Sequence, residues 1–438
     1  MTTKTWIWLI LLLFITFLVY LNSFSGVFQF DDYNVIVDNP RVHSFSAWLS
    51  DLSSGLRPGL KLTYTLNWVS GLGIFGFHLL NLLIHLANAI LIFFLSLRFT
   101  RRYETAFLAS LLFAIHPVQT ESVTYICGRS TSLMAFFYLG SILTYICSER
   151  KILLYFVSPS LFVMAVLVKE TAVTLPFALF LLDRQGLRQA MKKEVVHWML
   201  LLVILFVLII HPNYGQLLAY SFKIRSIEEN FLSQINGITY LLSRLIAVDG
   251  LNIDPDLRTI STWTPLLVAK LSLLLSLLFI SLIKIRSKPE ISFGILWFFL
   301  HLTPTNSIVP RLDIANERQL YLAIWGVFLI LSIGVERLAG QKVFWAGIIV
   351  LGVIFGYFTL ARNEVYRSEI ALWEDTSRKS EGKPRAYNNL GYAYTIAGRY
   401  EEAERAYLKA LEIKPDYRLA RNNLNRLLID MKRKAEKR

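Results

Sequence analysis

"FHLLNLLIHLANAILIFFLSLRFTRRYE" (77–104) sets the terms for the whole chain. A long apolar run, broken only by single polar side chains, stops at a loop carrying Arg98, Arg101 and Arg102. About 20 apolar residues in a helix cross the ~30 Å hydrocarbon core of a bilayer. Blocks of similar character recur from Trp6 to Leu360. Of the 438 residues, 55% are hydrophobic and only 17% charged. A soluble domain of this size shows apolar residues as periodic stripes, not as blocks. The expected fold is an all-α polytopic membrane protein.

The charges give the orientation. Five short loops, Arg98–Glu104, Glu149–Lys151, Arg184–Lys193, Lys284–Lys288 and Arg337–Lys342, hold 14 Lys and Arg in 31 residues. The 54-residue loop Asn22–Phe75 holds only Arg41, Arg57 and Lys61. Dense basic loops stay cytoplasmic, so the long loops are expected outside. The net charge of +14 is thus a topology signal, and nucleic acid is not an expected partner. About 11 spans are expected: 5–21, 76–97, 105–117, 131–148, 152–168, 171–183, 197–211, 265–283, 291–304, 320–336 and 343–361. The apolar segment Phe231–Val248 is read as an external interfacial or re-entrant helix. This parity puts the N-terminus in the cytoplasm and the C-terminus outside.

Some spans are short. Thr105–Ile115 gives about 16 Å of helix, half of what a crossing needs. Ile152–Leu182 must cross twice in 31 residues. The turns "HPVQTESVTYICGRS" (116–130) and "KET" (169–171) are therefore expected below the membrane surface, lining a polar chamber that opens outward. Cys127 and Cys147 lie at opposite ends of one span, too far apart for a disulfide.

After Leu360 the composition turns soluble. The 34-residue stretch "PRAYNNLGYAYTIAGRYEEAERAYLKALEIKPDY" (384–417) carries Tyr387, Leu390, Gly391, Tyr394, Ala403, Tyr407, Ala410 and Pro415 at tetratricopeptide spacing. Two units follow: 1–361, a membrane unit, and 362–438, a small α-hairpin domain. Helices over 366–380 and 417–434 are expected to cover the repeat's open faces. Residues 384–438 carry 13 Lys and Arg against 7 Asp and Glu. That excess serves solubility, or else contact with anionic lipid headgroups or an acidic polypeptide.

Motifs spaced along the membrane unit give it a family likeness. The chain resembles the transmembrane-and-tetratricopeptide O-mannosyltransferases, within the GT-C glycosyltransferases that use polyprenyl-phosphate sugars. The resemblance rests on "FDDYNVIVDNPRV" (30–42), "RP" (57–58), "FHLLNLLIHLANA" (77–89), "HPVQTESVTYICGRS" (116–130), "KETAVTLP" (169–176), "ERQLYLA" (317–323) and the appended repeat. Beside that family the repeat array is short. The resemblance implies sugar transfer, with mannose as the sugar, from a polyprenyl- or dolichyl-phosphate donor. The acceptor is a hydroxyl of an exported protein or glycan, and a catalytic Asp is implied in the first external loop.

A carboxylate there fits the chemistry, since an attacking hydroxyl needs a proton acceptor. Neighbouring residues of an extended loop point to opposite faces, so one carboxylate faces the chamber; Asp32 is expected as the base and Asp31 as its support. Glu121 joins the catalytic candidates. With the Asp pair it would alternatively hold Mg²⁺ or Mn²⁺, although a protein-only site needs more converging oxygens than the sequence offers. Arg318, Arg129, Lys169 and Arg57 are the cations expected for the donor phosphate. Arg318, Arg129 and Lys169 each have a nearby acid as competing partner, Glu317, Glu121 and Glu170, and the "RP" of Arg57 also reads as an ordinary turn. His116 is expected to touch donor or acceptor, or to cap a helix. His78, Asn81 and His85 share a helix face and read as polar glue between helices. Compact loops and a short tail suggest a bacterial or archaeal cell membrane. Two other functions stay open: a transporter or flippase for lipid-linked sugars, and a noncatalytic anchor presenting the repeat. If the tail only recruits an acceptor, the sugar chemistry is expected to survive its removal.

Overall fold

The computed structural model describes residues 3–147, 150–182, 191–338 and 340–436. The loops Glu149–Lys151, Arg184–Lys193 and Arg337–Lys342, and the last residues of the spans expected to end at 148 and 183, fall partly outside these ranges. The membrane unit starts with α1 (Thr3–Tyr20), α2 (Phe45–Asp51), α3 (Pro58–Val69), α4 (Gly73–Thr100) and α5 (Tyr103–Ile115). It continues with α6 (Thr120–Val123), α7 (Arg129–Cys147), α8 (Ser158–Val168), α9 (Leu175–Leu182) and α10 (Val195–Ile210). Then come α11 (Pro212–Ile224), α12 (Ile227–Ser243), α13 (Pro265–Lys284), α14 (Pro289–Leu302), α15 (Leu320–Leu338) and α16 (Gln341–Val365). The tail is α17 (Glu369–Lys379), α18 (Pro384–Ile396), α19 (Tyr400–Ile413) and α20 (Arg418–Glu436). No strand occurs among the described residues.

Each expected span falls on a helix. Among the described residues six helices are long and apolar enough to cross a bilayer, and the pair α10–α11, bent by 75°, makes a seventh if counted as one. Four more apolar segments, Tyr103–Ile115, Leu153–Val168, Glu170–Leu182 and Pro289–Leu302, are shorter. The expected eleven passes require these four to cross as well. Pro212 explains the bend, because the residue before a proline is driven out of helical geometry.

The shortness of α5 has a physical reason. Every residue from Thr105 to Ile115 is buried, walled in by α1, α4, α15 and α16. A helix that touches protein on all sides need not match the lipid thickness. The segment expected as interfacial forms α12, starting four residues earlier than its apolar run. Ser226 and Glu229 form a reciprocal capping box there. Asn230 bonds the Ser307 carbonyl at 2.8 Å, so α12 packs on the loop before α15.

In the tail, a Cβ on Gly391 would lie 2.7 Å from the Tyr407 ring, so only glycine lets α18 and α19 approach this closely. Ala403, Tyr407, Leu424 and Leu427 form a small core that α20 closes. On the other side α17 packs against α18. The tail also docks on the membrane unit. Arg362 at the end of α16 donates to Asp375 at 2.6 Å, and Lys379 donates to the Leu251 carbonyl at 2.9 Å.

Candidate active site

The chain leaves α1 and turns beneath His78, whose Nε2 lies 3.2 Å from the Gly26 carbonyl. Phe30 then adopts a left-handed backbone, φ 50°, which a bulky L-residue occupies only when its surroundings impose it. This kink separates the two carboxylates. Asp32 is fully buried: Oδ2 accepts the Gln29 N–H at 3.0 Å and Oδ1 the Cys127 N–H at 2.8 Å. Burial pushes its pKa up to about 7, against the lowering effect of those hydrogen bonds. Both oxygens are committed to backbone, so Asp32 latches the loop onto the 116–130 turn.

Asp31 is only half-buried. Its N–H donates to the Tyr125 hydroxyl at 3.1 Å, that hydroxyl also bonds its carboxylate, and no backbone donor among the described residues does so. Burial raises its pKa, and the charges of Arg318 and Arg385 pull it back. The arrangement is the reverse of the expected one: the shielded carboxylate is Asp32 and the reachable one is Asp31. Alternation along an extended strand does not apply, because the loop is helical from Tyr33 onward and kinked at Phe30.

The four expected cations separate in the same way. Arg129 is completely buried, donating to Asn81 Oδ1 at 2.6 Å and to the Phe77 carbonyl at 2.9 Å, with its guanidinium over the Tyr64 ring. It holds helices together and is closed to a lipid phosphate, against expectation. Arg57 caps α3 and forms a fork with Glu170, at 2.9 and 2.6 Å, tying the first loop to the second turn. Lys169 donates to Thr131 Oγ1 at 2.7 Å, and no carboxylate oxygen among the described residues lies within 4 Å of it. Burial holds its pKa well below the lysine range, and Arg318, Arg57 and Arg311 lower it further. Arg318 keeps a quarter of its side chain exposed and has Glu121 3.7 Å away.

Lys169 and Arg318 share one narrow cleft with Thr131, Thr171, His301 and Gln319. Glu121 serves this cleft indirectly: it is buried and its Oε2 accepts the Arg318 N–H at 3.0 Å. Its other oxygen lies 3.7 Å from the Arg318 side chain. Among the described residues no three His, Cys, Asp or Glu side chains form a set that could hold a metal ion. His116 is also buried; Nδ1 accepts the Val118 N–H at 3.2 Å and Nε2 faces the Leu245 carbonyl at 3.2 Å, so it caps. Asn81 bonds the Val123 carbonyl, and His85 lies between Tyr321 and the Ala114 carbonyl. Together with His78 they bind helix to loop.

The turns therefore differ from expectation in one respect. Every residue from His116 to Ser130 is buried, so this turn is scaffold, whereas Lys169 at the second turn lines the cleft. A Cβ on Gly128 would sit 2.0 Å from the Glu121 carbonyl oxygen, which shows how tightly the first turn folds on itself. Three charged residues near the site escaped the sequence reading: Arg311, Asp313 and Arg385. "RLD" (311–313) and the second residue of the repeat read as ordinary solvated positions. Only the Arg385–Asp313 bond and the influence of these charges on Lys169 and Asp31 distinguish them.

Comparison with known proteins agrees with the expected resemblance. Residues 384–417 match the tetratricopeptide repeat family. The human protein O-mannosyl-transferase TMTC3 is 24% identical to this chain, over 95% of the chain and 52% of the human protein. The Drosophila melanogaster Tmtc3 is 25% identical over 95% of the chain and 56% of the relative. The mouse TMTC4 is 34% identical over a shorter stretch, 32% of the chain and 22% of the relative. The chain spans about half the length of the first two. These relatives are animal proteins and lend no support to the expected prokaryotic membrane.

Proposed function

We propose that this chain is a membrane glycosyltransferase that moves mannose from a polyprenyl- or dolichyl-phosphate donor to a hydroxyl, a protein Ser or Thr. The names of its relatives, protein O-mannosyl-transferases, support the sugar and the reaction class. One observation carries the reading: half-buried Asp31 lies close enough to Arg318 for that charge to act on it, and Arg318 shares a cleft with Lys169, a cation with no carboxylate oxygen among the described residues within 4 Å. An anionic leaving group and a proton acceptor are what such a transfer needs.

In the proposed step, Asp31 takes the acceptor hydroxyl's proton as that oxygen bonds the anomeric carbon. The bond from that carbon to the phosphate oxygen breaks, and its electron pair leaves on the lipid phosphate. Lys169 and Arg318 stabilise the added charge, with the Thr131 hydroxyl fixing the Lys169 ammonium. No proton has to be supplied to the leaving group. Asp32 and Glu121 position the two sides without touching the reacting atoms.

The test is transfer of radiolabelled mannose from dolichyl-phosphate mannose to a Ser/Thr peptide by the purified chain in detergent. Product formation supports the reading. Donor uptake into vesicles without product supports a transporter, and neither activity supports an anchor. The site is proposed to face away from the cytoplasm. With Cys147, which is exposed, replaced by Ser, a cysteine at exposed Arg405 labels with an impermeant reagent in intact cells or sealed vesicles of matching orientation. One at exposed Arg101 stays unlabelled. Equal labelling overturns the orientation.

A further inference from the structure

The first helices of the tail reach the carboxylate loop directly. Glu369 of α17 accepts the Phe30 N–H at 3.3 Å, and Trp373 packs edge-on against the Phe30 ring, with centroids 5.2 Å apart. The Gln29 side chain donates to the Tyr366 carbonyl. The residue immediately before Asp31, held in a left-handed backbone, is thus gripped from the tail.

A second link is ionic. Arg385 near the start of α18 bonds Asp254 with both Nε, at 2.7 Å, and Nη2, and bonds Asp313 at 2.6 Å. Lys383 joins the same two carboxylates. Asp254 is almost completely buried, and Asp313 lies five residues before Arg318 on the loop that forms the cleft. One tail arginine therefore ties together two loops of the membrane unit, and its charge, like that of Arg318, acts on Asp31.

We infer that Arg385 is a positioning residue of the transfer site, and that α17 and the start of α18 form part of that site's wall. This rests on the transferase reading above. The tail is then no detachable adaptor, in contrast to the expectation that sugar chemistry would survive its removal. The groups facing Asp31 are Tyr125 from the first turn, Arg318 and Asp313 from the loop before α15, and Arg385 from α18. Glu369 of α17 lies one residue away, at Phe30. Arg318 and Arg385 favour the ionised carboxylate and Asp313 opposes it.

The charges give a test that simple structural support would not pass. The pH profile of mannose transfer is measured for the full-length wild type, Arg385→Gln, Arg385→Lys and Asp313→Asn. Arg399→Gln, at an exposed tail residue that pairs with Glu402 and lies over the Tyr394 ring, serves as control. Loss of the Arg385 charge is expected to move the acid limb upward by about half a pH unit, a threefold loss of rate on that limb. Asp313→Asn is expected to move it downward, and Arg385→Lys and Arg399→Gln to leave it in place. Should Arg385→Gln fail to fold, Asp313→Asn and Arg385→Lys decide by the same criteria. An active wild type with unmoved limbs, or limbs moving the same way in Arg385→Gln and Asp313→Asn, overturns this inference alone. A wild type without transfer activity overturns the transferase reading and this inference with it.

Discussion

The two ends of the helix bundle use charge in opposite ways. At the basic end, three exposed cations each meet one acid: Arg102 with Glu336, Arg337 with Glu290 at 2.6 Å, and Lys4 with Glu104 at 3.2 Å. These are solvent-facing pairs that contribute about 0–1 kcal/mol each and serve orientation more than stability. At the opposite end, burial depresses the Lys169 pKa, and Arg318, Arg57 and Arg311 lie close enough to lower it further. Arg318 has only a loose carboxylate neighbour. Like charges gathered in a partly dehydrated cleft raise the energy of the empty site, and an anionic guest relieves it. The difference teaches that cations in so basic a chain play different parts: those exposed in the loops fit a topology signal, and those buried beside one another fit the proposed binding site.

The comparison is broken or sharpened first at Asp31. Asp31→Asn removes the proton acceptor but keeps the shape, so turnover is expected to fall ~10²–10⁴-fold while donor binding survives. A folded Asp31→Asn chain with normal turnover refutes the assignment. Next come the cleft cations. Lys169→Ala or Arg318→Ala deletes a charged hydrogen bond of about 1.5–3 kcal/mol, expected to weaken donor binding about 10–150-fold. Equal binding by wild type and both variants would remove the phosphate site.

Smaller effects refine the picture. Asp32→Asn turns an amide toward one of two backbone N–H groups and leaves it unsatisfied, a cost of about 1–3 kcal/mol to be read from thermal unfolding. A larger loss of turnover than of stability would restore Asp32 as the base. The pH profile should be bell-shaped. Asp31 must be ionised, so activity falls as pH drops through its raised pKa. Lys169 must be charged, so donor binding falls as pH rises through its lowered pKa. Lys169→Arg keeps its charge to much higher pH and is expected to move the alkaline limb upward. Arg102→Gln, at the basic end, is expected to change transfer by less than about twofold, in keeping with an exposed pair. A strong effect there would dissolve the contrast between the two ends.

Apolar blocks and loop charges alone located the helices, the soluble tail and its repeat, because burial in lipid and the 34-residue packing of Gly391 against Tyr407 are written in local composition. The candidate set of carboxylates and cations was also readable, since only a few charges interrupt so apolar a chain. Their roles were not. Asp31 and Asp32 are neighbours of identical chemistry, and a left-handed Phe30 decides which one the protein covers. Arg129 and Lys169 both end recessed turns, and only three-dimensional contacts show one saturated by Asn81 and a carbonyl and the other facing the cleft. Arg385 looks like surface charge on a repeat until Asp254 and Asp313, more than 70 residues away in sequence, close around it. Hydrophobicity acts through composition and is legible along the chain; electrostatic roles depend on distances between remote residues, which the tertiary structure alone sets.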